Sequence, residues 1–237
     1  MNSSNKQLSL SQRILIMVAL ALVIQLPPVI ELMIGSGLRN LNYHWMPWIV
    51  TFGVMSYTIL FFVIILWAYQ LFKRYRRWPV QTKNWGSQIG WILISYLVLL
   101  SGVGALSTLN QLLYHQATTS NNDTIQSLAQ SSPVLLVITA LSGIFLSPLA
   151  EELIFRGVLM NFFFKASSFW PPILLSGLIF TLEHSSTTIV SYLIYFFMGG
   201  VLAFVYRATG QLKISIGLHF LNNLIAMLEL IIPILIK

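Results

Sequence analysis

Glu151 and Glu152 stand side by side, with Arg156 four residues on, inside the apolar run Val134 to Phe164. The whole chain has only six acidic residues, so two adjacent ones in an apolar stretch call for a chemical reading. Ionisable groups at membrane depth are costly and mark functional sites by default. On a helix, residues four apart share a face and adjacent ones diverge by about 100°. That spacing stacks Glu152 on Arg156, where the two can pair, and turns Glu151 elsewhere, toward a cavity. The other reading of the same spacing is a structural ion-pair network that ties helices together.

Two further segments bring polar groups into apolar surroundings: Phe180-Thr181-Leu182-Glu183-His184 and His219-Phe220-Leu221-Asn222-Asn223. His219 and Asn223 again lie one helical turn apart. A lone histidine in a span is usually a packing residue. Two histidines, an unpaired glutamate and an asparagine on three spans can instead converge on one water-filled cavity. At about 1.5 Å per residue from the inner ends, Glu151, His184 and His219 fall roughly 9 to 20 Å deep.

The elements that must position these groups are membrane spans. Hydrophobic residues make up 57% of the chain and charged ones 8%, against roughly 25% charged in soluble domains. The fold class expected is an all-α polytopic membrane helix bundle of about seven transmembrane helices. Hydropathy places them near 14–34, 45–72, 85 or 89 to 106, 134–164, 171–184, 189–206 and 214–236. Pro27-Pro28 predicts a kink in the first; the fourth, longer than the hydrocarbon core, is expected to tilt, to kink near Pro148 or to project past the membrane. Gly199-Gly200 predicts a close helix contact in the sixth. The polar segment His115 to Ser132 reads as an external loop, and His115 carries no role. Residues 1–133 supply transmembrane helices without motifs, and 134–237 the motif-bearing core, within one integral membrane domain.

The charge pattern sets orientation. With a cytoplasmic N-terminus, Lys6, Arg13, Lys73, Arg74, Arg76, Arg77, Lys83, Lys165, Arg207 and Lys213 fall inside, ten of the thirteen basic residues. Arg39 and Lys237 fall outside, and Arg156 in the membrane. This satisfies the positive-inside rule, so the net charge of +7 needs no nucleic-acid partner. The chain lacks cysteine, which excludes a thiol nucleophile, a disulfide framework and thiolate metal sites.

Glu151-Glu152-x-x-x-Arg156, Phe180-x-x-x-His184 and His219-x-x-x-Asn223, in this order, resemble the three motifs of the CAAX-protease and bacteriocin-processing family of intramembrane proteases, also called Abi. The motifs cover Glu151 to Asn223, under a third of the chain. The resemblance implies an endopeptidase that activates water, with Glu151 as general base, His184 assisting, and His219 and Asn223 stabilising the oxyanion. Glu152 and Arg156 would support them, and Glu183 matches no family position. A carboxylate in a low-dielectric cavity is a stronger base than one in water, and an aimed N–H contributes a few kcal/mol of oxyanion stabilisation. No cofactor is expected. The alternative is zinc or another divalent metal held by Glu151, His184 and His219, although no His-Glu-x-x-His pair is present.

The expected partners are a peptide or protein substrate at the membrane and the bilayer itself, and the expected location is a bacterial cell membrane. The processes the resemblance implies are bacteriocin maturation, self-immunity or CAAX-type trimming. A non-catalytic immunity or scaffold protein that binds a peptide or membrane partner is the competing class. A transporter would show an internal hydropathy repeat, and none is evident.

Overall fold

The computed structural model describes residues 8–40, 45–79 and 84–236, with the side chains of 39, 40 and 235 set aside. Lys6, Lys83 and Lys237, used above for orientation, lie outside the described residues, as does the side chain of Arg39. The described residues form helices joined by short turns: α1 (Leu10–Val23), α2 (Leu26–Asn40), α3 (Met46–Tyr75), α4 (Trp85–Tyr114), α5 (Ser120–Ser131), α6 (Pro133–Phe163), α7 (Trp170–Leu182), α8 (Ile189–Thr209) and α9 (Leu212–Leu235). Among the described residues six stretches are long and apolar enough to cross a membrane, α1 and α2 together making the first, and α7 is a shorter apolar helix. The outward faces keep large apolar side chains such as Leu15, Phe52, Ile94 and Leu178 exposed. Such faces suit lipid, so the all-α membrane bundle expected from hydropathy is the fold observed.

Local chemistry explains the breaks. The first span interrupts at Ile24-Gln25, just ahead of Pro27-Pro28, because proline removes a helical N–H and clashes with the preceding turn. α4 continues about two turns beyond the expected Leu106. Its polar end is satisfied by buried Asn110, which donates to the Gln116 carbonyl (3.1 Å) and accepts from Thr188 (2.6 Å). His115 caps this helix in the left-handed region, with φ of 56°.

The segment His115 to Ser132 is a correction to the reading as a loop. It contains α5, started by Thr119, whose hydroxyl accepts from the Asn122 N–H (3.3 Å). Leu128 and Ala129 bury one face of α5. Hydropathy misses such a helix because most of its residues are polar.

α6 holds the centre. Its residues Ala150, Ile154, Phe155 and Val158 pack against Leu20 of α1 and Phe61, Ile64 and Ala68 of α3 in one apolar cluster. The helices before residue 134 therefore share a core with the motif helix. A second cluster joins Leu99 of α4 to Leu202 and Val205 of α8 and Ile214 and Leu218 of α9.

α6 is not a uniform α-helix. Ser142–Leu146 and Glu152–Leu159 are π-helical. In the first, the Ser147 N–H reaches back five residues to the Ser142 carbonyl. Pro148 follows immediately and has no N–H to hold the tighter α spacing. In the second, the Asn161 side chain donates to the Gly157 carbonyl (2.7 Å), a side chain inserted into the backbone ladder.

α7 and α8 approach through glycine, as Gly199-Gly200 predicts. A Cβ on Gly177 would lie 3.1 Å from the Phe196 carbonyl oxygen and 3.2 Å from the Gly200 nitrogen. A Cβ on Gly199 would meet the Gly177 Cα at 3.0 Å. Small residues let membrane helices pack backbone to backbone.

Candidate active site

The π turn that begins at Glu152 is buried along its whole length. Glu152 and Arg156 are both fully buried, with Arg156 Nη1 2.9 Å from Glu152 Oε1. Nη1 makes no directed hydrogen bond, so this contact is an ion pair rather than an aligned N–H···O bond. Arg156 Nη2 donates to the Gly199 carbonyl (3.0 Å), and the guanidinium lies 4.6 Å from the Phe180 ring centre. The close glycine contact between α7 and α8 thus places both a carbonyl and an aromatic face within reach of one arginine.

Glu152 also organises α9. Ser215 Oγ donates to Glu152 Oε2 (2.5 Å), and His219 Nδ1 lies 3.0 Å from Glu152 Oε1. A carboxylate oxygen accepts, so Nδ1 carries the proton and donates. This fixes the ring and leaves His219 Nε2 turned to Glu151, 3.9 Å from its Oε2. That gap is too long for a direct hydrogen bond and suits a small bridging group. Glu151 keeps 16% side-chain exposure where Glu152 keeps none, so Glu151 is the acid left partly accessible. Its Oε2 is buried and takes no hydrogen bond from the described residues.

His184 follows the last turn of α7. Its Nδ1 is 2.7 Å from the Phe180 carbonyl, which can only accept, so Nδ1–H donates and Nε2 holds a lone pair. The ring stacks on Tyr195 of α8 at 4.5 Å and 20°, and Tyr195 is itself hydrogen-bonded to Thr119 (2.6 Å). Phe180 lies between the two histidines, 4.3 Å from His184 and 5.9 Å from His219 between ring centres.

Asn223 sits one turn outward from His219. Its Nδ2 donates to the Gly143 carbonyl in the first π turn (2.9 Å), and its Oδ1 accepts from Asn222 (3.2 Å). One N–H of Asn223 remains beyond those bonds.

The structure therefore brings Glu151, Glu152, Arg156 and His219 into direct contact, sets His184 beside them across Phe180, and places Asn223 a turn away. Sequence reasoning missed Ser215, Tyr195 and the Gly199 carbonyl. Ser215 had a signal: with His219 and Asn223 it forms an i, i+4, i+8 stripe on α9. Tyr195 and Gly199 had none beyond their place in α8.

A metal would need a converging set of donors. Each histidine has one free nitrogen, which suits a ligand role. Among the described residues, however, no three His, Cys, Asp or Glu side chains gather as a metal-holding group. Glu151, His184 and His219 do not make a preformed three-ligand zinc cage.

Residues 133–225, which carry all three motifs, match the family described as type II CAAX prenyl endopeptidase Rce1-like. The resemblance read from the motifs is thus borne out over that segment. Two bacterial proteins are also similar. "Putative membrane peptidase YdiL" of Bacillus subtilis (strain 168) is 24% identical over 144 residues, covering 60% of this chain and 57% of that one. "UPF0177 protein YvdC" of Lactococcus lactis subsp. lactis (strain IL1403) is 29% identical over 137 residues, covering 57% and 49%. The chain thus spans about half the length of these relatives. No solved structure matches it.

Proposed function

We propose that this protein is an intramembrane endopeptidase that hydrolyses a peptide bond with water activated by Glu151. The observation that carries this reading is the pair Glu151 Oε2 and His219 Nε2, 3.9 Å apart, with His219 fixed from behind by Glu152. The buried set holds two carboxylates, one guanidinium and one imidazole. It is neutral overall when a single proton resides on either Glu151 or His219. With that proton on His219, Glu151 is a free carboxylate and His219 Nε2–H is a donor.

Water between them loses a proton to Glu151 as its oxygen attacks the scissile carbonyl carbon. The carbonyl π electrons move to oxygen, and His219 Nε2–H, with the remaining N–H of Asn223, stabilises the charge that develops. Collapse of the tetrahedral species breaks the C–N bond. The proton held by Glu151, relayed through the His184 Nε2 lone pair, passes to the leaving amine. Glu152, Arg156 and Ser215 are positioning residues. They fix the tautomer and direction of His219 as a carboxylate fixes the histidine of a hydrolytic triad.

The match of residues 133–225 to a prenyl endopeptidase family and the likeness to the protein named "Putative membrane peptidase YdiL" support the endopeptidase reading. Bacteriocin maturation, self-immunity or CAAX-type trimming are the processes that such a cut would serve. The membrane orientation proposed is N-terminus cytoplasmic. The test is incubation of detergent-purified protein with a peptide library, with and without chelator, and mass spectrometry of the products. Cuts by the wild type that vanish in Glu151→Gln are expected. A correctly folded wild type that binds peptides but cuts none would make the non-catalytic binding protein the better reading. Activity lost on chelation and restored by zinc would make Glu151, His184 and His219 metal ligands.

A further inference from the structure

α7 has thirteen residues and rises about 20 Å, short of a hydrocarbon core of about 30 Å. α8 starts only at Ile189, after its cap Thr188. The stretch 183–188 is therefore non-helical backbone that begins about 10 Å short of a full crossing. Such backbone is tolerated only where it is buried in protein or lines a water-filled cavity.

A cavity of about 570 Å³ lies there, with Gln25, Glu183, His184, Ser186 and Tyr192 in its walls. Gln25 reaches it because the prolines break the first span at that residue. The Gln25 amide donates to Glu183 Oε2, which leaves its own carbonyl oxygen for another donor. The described residues give Glu183 no cationic partner: the ion pairs among them involve Glu151 and Glu152. Ser186 Oγ, in the same wall, is buried without a hydrogen-bond partner. A half-buried carboxylate facing only a neutral amide is left uncompensated.

We propose that Glu183 and Gln25 form a substrate subsite that receives a cationic side chain, lysine or arginine, of the peptide to be cut. The proposal rests on the endopeptidase reading of the neighbouring groups. Glu183 supplies the counter-charge, and the Gln25 carbonyl accepts a remaining N–H group. His184 is part of the same wall, so a side chain held by Glu183 lies beside the reacting groups. The subsite thereby selects which bond of a membrane peptide is presented.

The experiment uses the full chain carrying Glu151→Gln, so that nothing is cut, purified in detergent. Fluorescein-labelled apolar peptides carry one lysine, norleucine or glutamate at each position in turn, and binding is read by anisotropy. At one or two positions the lysine peptide should bind about tenfold or more tightly than its norleucine counterpart. Adding Glu183→Gln should erase that difference, and Gln25→Leu should reduce it. Adding Glu183→Lys should turn the preference toward glutamate. Equal binding of the three peptides by Glu151→Gln protein of wild-type melting temperature overturns the subsite, as does a lysine preference that survives Glu183→Gln. Cutting by the wild type with no lysine preference removes the subsite and leaves the endopeptidase reading intact. A lysine preference in binding, with no cutting by the wild type, does the reverse.

Discussion

At the scale of single residues, the two adjacent glutamates are asymmetric. Glu152 is fully buried and meets Arg156, Ser215 and His219, whereas Glu151 faces His219 and stays partly exposed. Glu151→Gln is therefore expected to abolish peptide cleavage and leave the melting temperature near that of the wild type. Glu152→Gln should cost roughly 3–5 kcal/mol of stability, because it strands the Arg156 charge in a dry site. Thermal unfolding in detergent beside the cleavage assay checks both, and equal destabilisation would count against the division of roles. Asn223→Ala should lower kcat by about 10²- to 10³-fold with little change in KM if its amide stabilises the oxyanion. A loss of melting temperature with unchanged kcat would instead make its bond to Gly143 purely structural. The acids, histidines and Asn223 were legible in the sequence because polar residues stand out in apolar runs. The Glu152–His219 bond was not, since it joins residues 67 apart. Ser215 was hidden because serine is unremarkable in a membrane helix.

At the scale of elements, hydropathy reads the spans to within a few residues, the two extra turns of α4 excepted, because a bilayer requires long apolar helices. It cannot read α5, whose polar face outweighs its apolar one, although Thr119 and the acidic first turn at Asp123 are a start signal. Nor can it read π turns, which have the same composition as the α turns around them. The α7–α8 contact gives a test. Gly177→Ala and Gly199→Ala would place a Cβ at 3.0–3.2 Å from neighbouring backbone. Each should cost about 1–3 kcal/mol by overpacking and disturb the site, because Phe180 and the Gly199 carbonyl hold Arg156. Gly200→Ala meets nothing within 4 Å, so its melting temperature and activity should match the wild type. Similar losses at all three positions would show that the contact does not set the spacing.

At the scale of the whole molecule, the absence of cysteine makes topology directly measurable. Ser127 on α5 and Lys165 after α6 are both exposed and lie at opposite ends of α6. Ser127→Cys should react with an impermeant maleimide from outside the cell, and Lys165→Cys only from the cytoplasmic side of inverted vesicles. The opposite pattern would invert the proposed orientation. The site draws on α6, α7, α8 and α9, while α1 and α3 brace the back of α6 through Leu20, Phe61 and Ile64. The first 133 residues carry no motif, yet they hold the motif helix in place.

A π turn contains about one residue more than the α turn it replaces, so each one shifts the angular phase of a helix by about 100°. The phase shift at Glu152–Leu159 sets how Glu151 is rotated relative to the inner end of α6. Removing one residue from this stretch, Val158 for example, would let it relax to an α-helix. Every side chain on the outer part of α6 would then swing by that angle against the fixed face of α9. Composition and hydropathy would barely change, but Glu151 would no longer face His219. Counted this way, the length of α6 to the single residue is as much a part of the site as the carboxylate it carries.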